Sequence, residues 1–318
     1  MKTQCNIILV GLGGISYKYD FLNDGFDYLS KNNFSNTHLS AALKAGNSIV
    51  GGVDNNAEAR KSFQLSTNFT TWESLSMVSN DVGVDIFVVS SPEHTHFDVI
   101  NEIVERWKPI GIICEKPFGN SSQESKRILD LVNFHSIPII VNYTRQFSED
   151  LNIIRDKMVN SKFVSGNFCY SHGLRRSGSH FIRLILGILG KPNYVEIPEQ
   201  KKGLETPSFD LVYENNRKFS FIGSGGVSFR IGEGYLETEN FILSIQEGSK
   251  FQIMELPAGS GAPFWPCQGA ASVSGNLVGG LDQIYSNLNW FKPEKLEVRK
   301  YQNELDHLCN EIMDQISM

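Results

Sequence analysis

The residues best suited to chemistry in this sequence stand where strand-like runs end. Asn6 to Val10 leads into Gly11-Leu12-Gly13-Gly14-Ile15-Ser16. Glycines at such a turn let the backbone bend sharply and let a pyrophosphate approach the peptide N–H groups with no Cβ between them. Ser16 occupies the third small position of the pattern. Ser48 to Val53 leads into Asp54, a carboxylate placed to accept hydrogen bonds from the adenosine ribose and to repel the extra phosphate of NADP, so NAD is the expected dinucleotide. The competing role for Asp54 is to cap a helix starting near Ala57. Two further motifs follow strand-like runs: Ser90-Ser91-Pro92-Glu93-His94-Thr95-His96 after Val84 to Val89, and Glu115-Lys116-Pro117 after Gly111 to Cys114. A lone lysine at a strand end is commonly a solvated charge. Beside a nicotinamide it could take up the hydroxyl proton of a secondary alcohol, or stabilise the oxyanion that develops as that proton leaves and from which hydride departs.

These motifs need a parallel sheet to place them together. The first half alternates apolar, β-branched runs with helix-like segments: Asn6 to Val10 then Thr37 to Ala45, Ser48 to Val53 then Ala57 to Leu65, and Val84 to Val89 then Glu93 to Trp107. Gly111 to Cys114, Gln123 to Phe134 and Ile137 to Val141 continue the series. Alternation of this kind predicts βαβ units, and runs without polar alternation predict strands covered on both faces. Asp54 comes about twice as far from the glycines as the usual ~20 residues. The excess, Tyr17 to Asn36, reads as an insertion that could cover the cofactor. After Gln146 the pattern changes to helices at Asp150 to Val159 and Ser179 to Leu189, with a succession of strands from Phe163 to Glu255, an antiparallel sheet. Ala258 to Gly280 reads as a loop, and Tyr301 to Ile316 as a closing helix. The expected fold class is α/β. Residues 1–146 form a doubly wound Rossmann domain, and residues 147–318 an α+β domain with a large, mainly antiparallel open sheet.

Composition narrows the function. With 318 residues, 41% hydrophobic and 20% charged, the chain has the make-up of an ordinary two-domain globular protein. A net charge of -6 argues against nucleic acid as the main partner. The longest apolar runs fall far short of the roughly 20 residues that span a bilayer. The amino terminus enters the first strand without a cleavage site for export, so a cytoplasmic protein is expected. Its five cysteines are scattered singly, with no Cys-x-x-Cys pair, and read as reduced thiols. Cys114, inside an apolar strand, is a packing residue on this reading. No metal is expected: His94 and His96 lack a third ligand nearby, and on a helix they would point apart.

Taken together, Gly11 to Ser16, Asp54, Ser90 to His96 and Glu115-Lys116-Pro117 resemble the Gfo/Idh/MocA oxidoreductases, and Asn142-Tyr143-Thr144-Arg145 and Gly178-Ser179-His180 extend the resemblance. The resemblance implies an NAD(P)-dependent dehydrogenase or reductase acting on a secondary hydroxyl of a sugar, nucleotide sugar or polyol. It implies Lys116 and His180 as catalytic residues, with Pro117 a candidate for a cis bond. It implies that Gly11, Gly13, Gly14, Ile15, Ser16, Asp54, Ser91, Pro92, His96 and Glu115 meet the cofactor, Pro92 and His96 on the nicotinamide side. Asn142, Arg145, Arg176 and Arg183 become candidates for the substrate. It also implies a homodimer or homotetramer formed through the second domain's sheet.

One departure stands out. Family members commonly carry an aspartate four residues before the histidine or three after it, where this chain has Arg176 and Arg183. An arginine on the histidine's helix face favours a neutral imidazole, available as a base but without an orienting acid. Arg175, Arg176 and Arg183 could receive an anionic substrate such as a uronic acid or a nucleotide-sugar diphosphate. Two alternatives remain open at this level: a cofactor-binding sensor or scaffold that has lost catalysis, and an NAD-assisted glycosidase or lyase.

Overall fold

A computed structural model describes residues 4–21, 33–199, 204–255 and 272–317. The chain divides into two units, one of residues 1–147 and 279–310 and the other of residues 148–278 and 311–318.

In the first unit the apolar runs form a parallel sheet: β1 (Asn6–Val10), β2 (Ser48–Val53), β3 (Thr70–Trp72), β4 (Ile86–Val89), β5 (Gly111–Cys114) and β6 (Ile139–Val141). The order β3-β2-β1-β4-β5-β6, parallel throughout, is that of a Rossmann fold. Every residue of β4 and β5 is buried, as unbroken apolar runs require. The edge strand β3 escaped the sequence reading because it has three residues and no apolar run. The helices α1 (His38–Lys44), α2 (Ala57–Thr67), α3 (His96–Arg106) and α4 (Ser122–Phe134) occupy the expected segments.

The long spacing between the glycines and Asp54 has a structural cause. Tyr19 N–H bonds the Gly14 carbonyl at 3.1 Å, starting a helical turn, but the next two carbonyls, of Ile15 and Ser16, accept from His38 and Leu39 N–H, each at 3.0 Å. Helix α1 therefore resumes a turn that the chain leaves at Tyr17 and rejoins at Thr37. Tyr17 anchors the departing chain, buried edge-on against Phe63 at 4.9 Å with its hydroxyl bonded to Ser62 Oγ at 2.9 Å. Thr37 anchors the return: its Oγ1 accepts from Ser40 N–H as the α1 cap, and its hydroxyl donates to Asp20. Residues 22–32 of the expected cofactor cover lie outside the described residues.

The second unit contains α5 (Leu151–Val159), β7 (Phe163–Tyr170), α6 (Ser179–Leu189), β8 (Tyr194–Glu196), β9 (Phe209–Val212), β10 (Lys218–Gly223), β11 (Gly232–Thr238), β12 (Phe241–Gln246), β13 (Lys250–Glu255) and β14 (Ser272–Asn276). The strands order as β14-β13-β12-β11-β7-β10-β9-β8, antiparallel except between β7 and β10. One face is packed with aromatic rings: Phe168 stacks on Phe181 of α6 at 4.2 Å, and Phe209 on Phe221 at 4.8 Å.

Two expectations are corrected. Of the loop read at Ala258 to Gly280, residues 258–271 lie outside the described residues, but Ser272–Asn276 pairs with β13 as β14. A single cut after residue 146 also misses the return of residues 279–310 to the first unit. The cause is α7 (Gly280–Ser286), whose Leu281, Ile284 and Tyr285 join Ile7, Leu9 and Ile113 in one core, followed by Phe291. The last helix, α8 (Leu296–Ser317), starts earlier than the sequence periodicity suggested.

Candidate active site

At the end of β1 the backbone N–H groups of Gly13, Gly14, Ile15 and Ser16 bond no acceptor among the described residues. Four successive donors of this kind make an anion-binding concavity. Gly13 keeps it open: a Cβ there would meet no atom within 4 Å. Gly11 is required for another reason. Its φ is +90°, and a Cβ would fall 2.5 Å from Ser91 N, because β4 ends against the turn. Ser90 Oγ donates to the Gly11 carbonyl at 2.8 Å and completes that junction. Ser16 is fully buried, as a third small residue at a close helix–strand approach should be.

Asp54 is held to the same turn. Its Oδ2 accepts from Leu12 N–H and its Oδ1 from Asn56 N–H, each at 2.8 Å. The cap of α2 is Asn56, which accepts from Glu58 and Ala59 N–H, so Asp54 is not the helix cap. Its carboxylate stands beside the anion concavity, where the ribose of a dinucleotide would follow the pyrophosphate. The donors, the open Gly13 backbone and the neighbouring carboxylate together fit an NAD pyrophosphate and adenosine ribose.

After β4, Pro92 opens a short turn whose carbonyl accepts from Thr95 N–H, and Ser91 Oγ accepts from Thr95 Oγ1 at 2.7 Å. His96 is 1% exposed, its Nε2 3.0 Å from the Ser91 carbonyl oxygen and its Nδ1 3.4 Å from Cys114 Sγ. The ring therefore secures the backbone of the Ser91-Pro92 turn. Burial pulls its pKa below the ordinary 6.5, against the Ser91 bond and the Glu115 charge. Cys114 is sealed in the sheet and burial drives its thiol well above the usual range, which suits packing and not nucleophilic attack.

After β5 the Lys116–Pro117 bond is cis. Glu115 is buried, and its carboxylate is engaged within its own unit: Oε1 with His38 Nε2 at 2.9 Å and Asn142 Nδ2 at 2.6 Å, and Oε2 with Lys116 N–H at 3.2 Å. Burial pushes its carboxyl up, but the bonds from His38 and Asn142 and the charges of His38 and Lys116 outweigh it, holding the pKa below 4.5. Glu115 thus builds the turn that presents Lys116, which is partly exposed. Arg145 stands on the following turn. Burial lowers its guanidinium to about 10, which leaves a cation at neutral pH.

In the second unit β7 leads through Gly173, at φ +83°, into a π-helical turn, Leu174–Gly178, that runs unbroken into α6. Such turns recur at functional sites. His180 is the second residue of α6 and is partly exposed, while Ser179 Oγ bonds back to the Arg175 carbonyl at 2.7 Å. Arg175 pairs with Asp314 at 3.4 Å, Arg176 is exposed, and Arg183 is 1% exposed inside the unit. Of the three, Arg176 is the one exposed residue, and Arg175 is partly exposed.

Sequence reading missed His38 and Tyr285, which back Glu115. His38 follows the capping box Thr37-x-x-Ser40 and has the local look of a first-turn helix residue; only its long-range partners distinguish it. Among the described residues no helix is long and apolar enough to cross a membrane.

A family model described as an oxidoreductase family with an NAD-binding Rossmann fold matches residues 5–143. The rhizopine catabolism protein MocA of Rhizobium meliloti is 25% identical over 119 residues, covering 37% of this chain and only 37% of that protein. The chain thus spans little more than a third of that relative's length in the match. Over nearly the whole chain, the fold is similar to the UDP-N-acetylglucosamine 3-dehydrogenase GnnA of Acidithiobacillus ferrooxidans (TM-score 0.71, 13% identity, covering 98% of this chain and 96% of that one). It is also similar to the WlbA dehydrogenase of Bordetella pertussis, solved with NADH and UDP-GlcNAcA (TM-score 0.61, 15% identity, covering 77% and 79%). The matched stretch runs from the first strand through the glycine turn, Asp54 and the lysine turn to Tyr143, less than half of the chain, and over that stretch the chain is similar to the Gfo/Idh/MocA oxidoreductases.

Proposed function

We propose that this protein is an NAD-dependent dehydrogenase or reductase acting on a secondary hydroxyl or keto group of a sugar, nucleotide sugar or polyol. The observation that carries the reading is the concavity of four N–H groups from Gly13 to Ser16, unbonded among the described residues, beside the Asp54 carboxylate. NAD supplies the hydride acceptor. Gly11, Gly13, Gly14, Ile15, Ser16 and Asp54 bind its pyrophosphate and ribose, and Ser91 and Pro92 flank its nicotinamide end. His96 and Glu115 secure the turns that do so. His180 takes the hydroxyl proton, Lys116 stabilises the alkoxide left on oxygen, and that alkoxide collapses to the carbonyl as the carbon gives up hydride to NAD. In the reverse direction the same groups return the proton to the carbonyl oxygen. Asn142, bonded to Glu115 beside Lys116, and Arg145, on the turn after β6, support the lysine turn or the substrate. Arg176 is the residue for an acidic substrate group, since Arg183 is buried.

The working form is a homodimer or homotetramer in which the open sheet of the second unit is covered by its counterpart. Ile222 and Tyr235 are 43% and 54% exposed on one face of that sheet, opposite the packed aromatic face. Light scattering tests this, and a monomer at micromolar concentration contradicts it.

The function is tested by incubating the purified protein with NAD+ and a panel of neutral sugars, polyols, uronic acids and nucleotide sugars. Accumulating NADH supports the dehydrogenase. Product without net NADH supports the glycosidase or lyase. NAD+ binding with no turnover on any member, unaffected by Lys116→Ala, supports the sensor. A preference for neutral sugars removes the role of Arg176.

A further inference from the structure

Behind the lysine turn lies a buried polar chain that the hydride chemistry leaves unused. His38, the first residue of α1, is fully buried. Its Nε2 lies 2.9 Å from Glu115 Oε1, and its Nδ1 lies 2.8 Å from the hydroxyl of Tyr285 on α7. An ionised carboxylate only accepts, so Nε2 carries the hydrogen toward Glu115. Burial keeps the Tyr285 phenol protonated, so its hydroxyl can donate to Nδ1 of a neutral ring or accept from a charged one. The backbone of His38 faces a different loop: its N–H bonds the Ile15 carbonyl at 3.0 Å in the glycine turn. One residue therefore grips the turn that holds the pyrophosphate with its main chain, and the carboxylate that closes on Lys116 N–H with its ring.

The consequence follows from the burial of Glu115. A carboxylate removed from water is stable only while donors surround it, and His38, Asn142 and Lys116 N–H supply them. Without the imidazole the carboxylate would turn toward water or take up a proton, and the adjoining lysine turn would follow. Displacement of a catalytic group by about 1 Å can slow a reaction about a hundredfold.

We propose that His38 is a positioning residue for Lys116: acting through Glu115, and itself oriented by Tyr285, it fixes the lysine turn relative to the glycine turn, so hydride transfer depends on an imidazole sealed inside the first unit. This rests on the role of Lys116 given above, and the experiment separates the two.

Wild type, His38→Leu, His38→Gln and Lys116→Met are compared for fold by circular dichroism, for NAD+ affinity by titration, and for NADH formation with the panel sugar that wild type oxidises fastest. His38→Leu is expected to lose about ten- to a hundredfold in kcat, with KM for the sugar and Kd for NAD+ within about threefold of wild type. His38→Gln, whose amide can donate to Glu115 from nearly the same place, is expected to recover kcat to within about threefold. Wild-type kcat in His38→Leu overturns the proposal. So does a His38→Gln enzyme as slow as His38→Leu, which would make position 38 a matter of packing alone. If His38→Leu does not fold, His38→Asn, too short to reach Glu115, must show the same loss in kcat or the proposal fails.

A second readout needs no substrate. In protein whose lysines carry isotope-labelled methyl groups, the Lys116 resonance, assigned by its absence in Lys116→Met, is expected to shift in His38→Leu and return in His38→Gln. An unchanged resonance contradicts the proposal. Full turnover by Lys116→Met discards the role of Lys116 itself, whereas loss of turnover there beside an unaffected His38→Leu discards only that of His38.

Discussion

Two glycines of one turn should fail in opposite ways when each is given a methyl group. At Gly11 the backbone is left-handed, φ +90°, and a Cβ would sit 2.5 Å from Ser91 N and 2.6 Å from Ser90 C. The conformation costs about 1–3 kcal/mol for a residue with a side chain, and forcing backbone apart adds about 1–3 kcal/mol. Gly11→Ala should therefore lose about 2–6 kcal/mol, or roughly 5–20 °C of apparent Tm for a unit of this size. At Gly13 no atom lies within 4 Å of a Cβ, so Gly13→Ala should stay within about 0.5 kcal/mol of wild type. Its methyl group instead stands where the pyrophosphate must approach the free N–H groups, and NAD+ affinity should fall at least about tenfold, about 1.4 kcal/mol. Differential scanning fluorimetry and a fluorescence titration with NADH read the two effects separately. Undiminished NADH affinity in Gly13→Ala would refute the placement of the pyrophosphate, and an unshifted Tm in Gly11→Ala would refute the strand-end junction.

Glu115 gives a pH signature. Its folded pKa lies below its ordinary 4.5, so its ionised form contributes stability that is complete above about pH 4.5 and is lost as the pH falls through the folded value. The difference in urea midpoint between wild type and Glu115→Gln should shrink on going from about pH 6 to about pH 4, and a constant difference would contradict the link. Arg183 is 1% exposed, so Arg183→Ala should cost about 2–5 kcal/mol in urea melts through lost packing and an emptied polar site. Arg176→Ala, at an exposed position, should stay within about 0.5 kcal/mol of wild type and raise KM only for acidic substrates. Equal stability losses would show that the two arginines do not differ in this way.

Apart from the edge strand β3, the sheet of the first unit was legible because its strands carry unbroken apolar runs, several of them ended by a motif with a physical purpose. Asn6–Val10, Ser48–Val53 and Gly111–Cys114 fall where those runs lie. What stayed hidden depends on contacts distant in sequence. The excess length between the glycines and Asp54 was legible, but nothing local shows that His38 N–H would close on Ile15, or that its ring would meet Glu115. Helix α7 shows only one short apolar stripe, Leu281, Ile284 and Tyr285, and its place in the first unit's core follows from packing rather than pattern. Arg183 reads in sequence as a cation for an anionic substrate, but it is buried, since an apolar helix can carry a guanidinium on its inner face when the fold supplies partners. The strand-end carboxylate had two readings in sequence, and the structure removes one of them: Asn56 caps the helix, while Asp54 turns to Leu12.

Following the hydride itself decides the matter most directly. A sugar that the enzyme oxidises is deuterated at the carbon bearing the reacting hydroxyl, and the reduced nicotinamide is examined by mass spectrometry after a single turnover with wild type, Lys116→Met and His180→Asn. Deuterium should pass to the cofactor in wild type, and each variant should slow the transfer by about a hundredfold or more while still binding NAD+. Deuterium that never reaches the nicotinamide, or transfer at wild-type speed without Lys116 and without His180, would contradict the chemistry assigned to this protein.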